Sequence, residues 1–227
     1  MRCDTVEIRK TEKLNNAETP RYGAHNLTEL PLKHYEERFL AANFEEIAER
    51  TGFLWDGGGF LMPYFEDTVR VSRGEGTDFV AFSSGNMLPG RENALKEKEK
   101  ILLLRLLLEG RKTPETAVFR AYNELPWGDV YDRQFRGRCI SRLAAVFGNR
   151  VADFEAACLR LNGRKIPGSG VTFEIPFMPG LLIRLILWEG DDEFPSSGQI
   201  LFSENFGEAL SAEDRVIVTE ILLGKMK

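Results

Sequence analysis

The first regular pattern of apolar positions begins at Leu32. Leu32, Tyr35, Phe39 and Leu40 recur at helical spacing behind Pro31, and Asn43 with Glu46 forms a capping-box pair ahead of Ile47 and Ala48. Gly52 is the expected stop. The period then shortens to two. Phe53-Leu54-Trp55, the turn Asp56-Gly57-Gly58-Gly59 and Phe60–Phe65 read as strand, turn, strand. In Thr68–Ser72, Val69 and Val71 share one face and Arg70 takes the other, and Gly74-Glu75-Gly76 turns into Asp78–Phe82. This predicts an antiparallel meander of strands.

The middle of the chain returns to helical spacing. Glu92–Glu109 opens with alternating Glu and Lys and continues into the apolar run Ile101–Leu108, the mark of a central, buried helix that Gly110 ends. Arg133–Phe147 and Ala152–Leu161 are two further predicted helices, preceded by a loop around Trp127-Gly128-Asp129. Strands are predicted again at Val171–Ile175, Leu181–Trp188 and Gln199–Phe202. Leu181–Trp188 is so nearly continuous in apolar residues that it reads as covered on both faces. A last helix opens at Ser211, with Asp214 at the capping-box position and Val216, Ile217, Ile221 and Leu222 facing inward. The expected fold is α+β: a mainly antiparallel sheet formed from N- and C-terminal strands, packed against a central group of helices. Residues 1–27 read as a polar extension and residues 28–227 as one domain, with two lobes divided near Gly85–Arg91 as the alternative.

Composition narrows the function classes. Of 227 residues 43% are hydrophobic, with 16 Phe, enough for a core without staples. The net charge of −5 repels phosphate backbones, so no nucleic-acid partner is expected without a local basic patch. Ile101–Leu108 and Leu181–Trp188 are far shorter than the ~20 residues that span a bilayer, and no membrane association is expected. Cys3, Cys139 and Cys158 are odd in number and lack metal-site spacing, and the N-terminus has no apolar run. A reducing, cytoplasmic location is the expectation.

No phosphate loop, dinucleotide fingerprint or nucleophile elbow is present, and Asp56–Gly59 lies between strands, as a hairpin turn would. His25 and His34 share no helical face. Arg133, Arg136, Arg138 and Arg142 surround Cys139. They read as a solvated basic face beside a core thiol, or as a small anion site for phosphate or carboxylate that would also lower the thiol's pKa. The segment Trp188–Phe202, WEGDDEFPSSGQILF, is the strongest candidate. Asp191, Asp192 and Glu193 leave a strand end together and repel one another unless solvent or a cation screens them. Hard oxygen ligands of this kind suit Mg²⁺, Ca²⁺ or Mn²⁺, with Glu204 and Asp214 as further ligands and Trp188 and Phe194 as pocket aromatics. The competing reading is a solvated acidic turn with Phe194-Pro195 packed down beneath it.

LILWEGDDEFPSSGQILFSENF followed by LSAEDRVIVTEIL resembles the C-terminal hallmark of the DUF3786 family, and NFEEIAERTGFLWD with FLMPYFEDTVRV is similar to its N-terminal half. The resemblance runs roughly from Leu32 to Leu222. It implies a domain of unknown function found mainly in anaerobic bacteria and archaea. The family often carries an Asp after the ILF strand where Ser203 stands here, a departure that would weaken any ligand site built there. Three functions remain in order: a non-catalytic module for a small ligand or cofactor, a metal-dependent enzyme using Asp191-Asp192-Glu193, and a scaffold or assembly subunit that meets a protein partner.

Overall fold

A computed structural model describes residues 32–74, 79–85 and 95–227. The expectations for the 1–27 extension, for His25 and Cys3, and for the Gly74–Gly76 turn beyond Gly74 lie outside them. So does the proposed lobe boundary beyond Gly85. Helix α1 spans Leu32–Leu40 and α2 spans Phe44–Thr51. Asn43 caps α2 as its spacing with Glu46 implies: its side-chain oxygen accepts from the amides of Glu45 (3.1 Å) and Glu46 (3.3 Å), and its Nδ2 donates to Glu46 Oε1 (3.0 Å). Gly52 ends the helix at φ 72°, a left-handed conformation that favours glycine.

Strands β1 (Leu54–Trp55), β2 (Gly59–Tyr64), β3 (Asp67–Arg73) and β4 (Val80–Ser84) pair antiparallel in chain order. The first turn is fixed by Asp56, whose Oδ1 accepts from the amides of Gly58 (3.0 Å) and Gly59 (2.9 Å) while its carboxylate pairs with Arg70 on β3. The Arg70 hydrogen bond, aided by those amides, holds the Asp56 carboxyl well below the usual range. The hairpin reading of this glycine run is therefore the observed one. Val69 and Val71 are fully buried, as their alternation predicts.

Helix α3 (Glu97–Glu109) is buried on every side from Ile101 to Leu107, Arg105 included. Next come β5 (Phe119–Ala121), a 3₁₀ turn at Tyr122–Glu124 and α4 (Gly128–Phe135). The loop expected around Trp127 is shorter than the sequence suggests. Trp127 alone takes a left-handed conformation (φ 62°) and α4 starts on the next residue. A π-helical turn at Arg136–Ile140 carries α4 into α5 (Ser141–Phe147), and α6 (Val151–Arg160) follows. β6 (Arg164–Ile166), β7 (Val171–Met178), β8 (Leu181–Trp188) and β9 (Ser197–Ser203) build a second antiparallel sheet of order β5-β9-β8-β7-β6. β7 runs on past its expected end at Ile175. β6 pairs only as far as Glu174, so the missing N–H of Pro176 leaves no ladder bond unmade on that side. Short α7 (Phe206–Ala209) leads into α8 (Ala212–Lys225), whose cap Ser211 accepts from the Asp214 amide at 3.1 Å. Val216, Ile217, Ile221 and Leu222 are all buried.

The α+β class and the antiparallel pairing hold, but the strands from the two ends form two sheets rather than one. β2 already has β1 and β3 on its two edges, so β7 can reach it only end-on. There the Phe65 amide donates to the Phe177 carbonyl (2.9 Å) and the Phe65 and Phe177 rings lie 5.1 Å apart. Buried side chains of both sheets form one hydrophobic cluster.

The second correction concerns β8. Leu181, Ile183, Leu185 and Leu187 are buried, but Leu182, Arg184, Ile186 and Trp188 are only half-buried. Helix α5 packs against β8 and α6 against the adjoining β7, while the outer face is screened by cross-strand neighbours. On that outer face Glu174 accepts from Arg184 (2.7 Å) and Arg164 (2.8 Å), and Arg184 lies over the Phe119 ring at 3.8 Å. Burial pushes the Glu174 carboxyl up, yet the two guanidinium hydrogen bonds outweigh it and hold the group below the ordinary glutamate value of 4.5. Its contribution is therefore present above that value and is lost as pH falls through the lowered folded value. Glu174→Gln should cost about 1–2 kcal/mol at neutral pH and less at a pH well below 4.5. Urea midpoints of the two proteins at both pH values check this; an unchanged deficit at low pH would mean that charge is not its origin.

Candidate functional site

The acidic segment after β8 closes on itself. Asp191 Oδ1 accepts from the amides of Glu193 (2.9 Å) and Phe194 (2.7 Å), and the Asp191 amide donates to the Phe194 carbonyl (2.9 Å). One carboxylate oxygen thus organises the turn, the local hydrogen bonding that places Asp in turns. Asp191, Asp192 and Glu193 are exposed, and so is Phe194, at 67%, instead of packing beneath them. Trp188 is half-buried and donates through Nε1 to the Ser169 carbonyl. Glu204 pairs with Arg120 at 3.0 Å, and Asp214 is buried against Arg105 at 3.1 Å. The structure does not bring the five carboxylates together. Among the described residues no group of three or more His, Cys, Asp or Glu could hold a metal ion. Ser203 is fully buried and its hydroxyl accepts from the Leu182 amide (3.0 Å), a structural task.

The arginines divide in the same way. Arg136 pairs with Asp132 (2.6 Å) and Arg138 with Glu220 (2.8 Å), while Arg133 is exposed on α4. Cys139 belongs to the π-helical turn and is fully buried. Burial, helped by Glu220, pushes its thiol up to about 12 against the opposing pull of Arg138 and Arg142. The activated-thiol reading is thereby reversed. Cys158 is likewise buried, and burial raises it further. His34 sits edge-on to Tyr35, ring centroids 5.3 Å apart.

A different place has the geometry of a binding site. The C-terminal ends of α2 and α3, the stretch from Gly110 to Glu115 and the β7–β8 turn enclose a cleft of about 250 Å³. Leu106, Met178, Leu181 and Ala209 form its apolar floor, and Arg111, Lys112, Thr113 and Glu115 its polar rim. The irregular wall is fastened at both ends. Arg50 donates to the carbonyls of Leu107 (2.7 Å), Leu108 (3.1 Å) and Gly110, offsetting the negative end of α3. The Lys112 amide returns a bond to the Arg50 carbonyl at 2.9 Å. From the other side, buried Asn205 donates through Nδ2 to Thr113 Oγ1 (3.3 Å) and to the carbonyls of Pro114 (3.1 Å) and Gly180 (2.8 Å). Gly180 adopts φ 77°, and a Cβ there would press on the Glu115 side chain at 3.1 Å.

No sequence motif marks this cleft. Its lining comes from four stretches remote in sequence, and the one local sign is an aperiodic segment, Arg111–Ala117, directly behind the most apolar helix.

The profile of a domain of unknown function, DUF3786, matches residues 43–225. The chain belongs to the DUF3786 family. The DUF3786 match begins at the cap of α2 and ends with the last residue of α8, so it takes in every lining residue of the cleft and leaves α1 outside. No curated protein and no solved structure matches the chain. No described helix is long and apolar enough to cross a membrane.

Proposed function

We propose that this DUF3786 protein is a non-catalytic module that binds a small molecule in the cleft beside Gly110–Glu115. The observation that carries the reading is a preorganised wall: a segment without regular structure is pinned by Arg50 and Asn205 over an apolar floor. Holding such a segment rigid has a conformational cost that a ligand would otherwise have to meet on binding. At about 250 Å³ the space is slightly below the ~300–1,000 Å³ of typical ligand pockets, so the ligand is small. Two hydroxyls and one carboxylate line it, without a His or Cys to serve as base or nucleophile. Buried, unpaired Cys139 and Cys158 support a reducing, cytoplasmic setting. The engagement of Arg136 and Arg138 by carboxylates supports a partner other than nucleic acid.

Amide chemical-shift mapping with a fragment library tests the proposal. Hits should cluster at Thr51–Phe53, Arg111–Glu115 and Gly180–Leu181, and Thr113→Trp should remove them while circular dichroism shows the fold retained. A screen whose hits fall elsewhere, or that yields none, overturns it.

A further inference from the structure

Accepting the cleft as a small-molecule site, we infer that its ligand is a short monocarboxylate with an apolar tail. The floor and the rim ask for opposite ends of one molecule. Leu106, Met178, Leu181 and Ala209 present only carbon and sulfur from their side chains, and nothing there can bond a polar group. The rim is dominated by donors. Arg111 and Lys112 are exposed and form no ion pair with another described residue, unlike Arg50, whose guanidinium is occupied by backbone carbonyls. Thr113 Oγ1 accepts from Asn205 Nδ2 at 3.3 Å, and its own proton finds no acceptor among the described residues. A hydroxyl donor on the same rim as a guanidinium and an ammonium suits an anion.

The count of charges separates the kinds of anion. Arg111 and Lys112 stand against Glu115, which leaves the rim with one net positive charge. That balances a carboxylate and leaves a doubly charged phosphate undercompensated. The negative ends of α2 and α3, which would disfavour any anion here, are offset at α3 by Arg50. Volume limits the tail. At ~30 Å³ per water-sized group, about 250 Å³ accommodates roughly eight non-hydrogen atoms, the size of hexanoate.

Titration of the full chain with hexanoate, hexan-1-ol, hexylammonium and methyl phosphate tests this, followed by amide shifts of the cleft residues. Hexanoate should bind about tenfold more tightly than hexan-1-ol, and more tightly than the other two, the gain of a charge-assisted bond at a partly exposed site. Arg111→Gln with Lys112→Gln should bring hexanoate down to the level of the alcohol and leave the alcohol unchanged. Both side chains are exposed, so the melting temperature should stay the same, which excludes a folding defect. Equal binding of alcohol and acid, or an unaltered hexanoate affinity in the double variant, overturns the carboxylate and leaves a neutral apolar ligand for the same cleft. Tighter binding of methyl phosphate overturns the charge count. If neither hexanoate nor hexan-1-ol binds, the inference fails as a whole, while the fragment map decides the cleft independently.

Discussion

Leu185→Asp is expected to abolish folding, whereas Ile186→Asp, one residue further along β8, should cost only about 1 kcal/mol. Leu185 is completely excluded from solvent, on a strand that packs against α5. A carboxylate placed there has Phe173 and Ile200 as its cross-strand neighbours, neither of which can pair with it. An unpaired buried charge costs several kcal/mol, on top of the lost apolar burial, against a total stability of about 5–15 kcal/mol. Ile186 faces the opposite way, is half-buried, and has Thr172 and Gln199 as cross-strand neighbours. An Asp at that position can keep its hydration. Circular dichroism and thermal melts of the two variants, expressed side by side, make the comparison. Equal loss in both would restore the picture of a strand covered on each face.

The second large effect is expected at the one charge inside the apolar run of α3. Arg105 and Asp214 side chains are 7% and 6% exposed and lie 3.1 Å apart, and Ser211 Oγ donates to Asp214 Oδ2 at 2.7 Å. Burial raises the Asp214 carboxyl despite the opposing pull of Arg105. The folded state therefore retains this proton where the unfolded state has lost it. Stability owed to Asp214 falls as pH climbs from its ordinary value of 3.8 through the raised folded value. Arg105→Met removes the compensating cation and should cost about 3–5 kcal/mol at neutral pH, a melting-temperature loss of roughly 6–20 °C. The deficit should shrink as pH is lowered toward 3.8, because the raised carboxyl of Asp214 takes up its proton above that value. Combining Arg105→Met with Asp214→Leu should recover most of the stability, because both desolvated charges are then gone. A double variant that loses the sum of the two single effects would contradict this account.

Local features of the fold were legible because their causes are local. The caps at Asn43 and Ser211, the alternation of Val69 and Val71 and the stop at Gly52 each depend on residues within a few positions of one another. Division into two sheets was not, since it depends on which strand edges remain free. β2 offers none, and no property of its own residues says so. The apolar outer face of β8 misled for a related reason: among the described residues, Leu182 and Ile186 are shielded by neighbouring strands rather than by a packed layer. At the acidic turn, composition suggested ligands, but an Asp can satisfy backbone amides two and three residues on, and Asp191 does so. At Cys139 nearby arginines and burial compete, and only the structure shows that burial prevails. The cleft was invisible because Thr51, Leu106, Leu181 and Ala209 become neighbours only after folding.

The depth of α8 has a bearing on the order of events during synthesis. Its apolar side chains occupy the core, and its cap Ser211 meets Arg105 across 106 residues of chain. At ~5–20 residues per second, a ribosome exposes Arg105 roughly 5–20 s before Ser211 exists. For that interval α3 has the earlier elements to lie against, chiefly α1, and Arg105 has Glu109, one turn on at 3.8 Å, without the closer Asp214. The nascent chain therefore carries an apolar helix, its arginine only partly compensated, in need of shelter until α8 arrives.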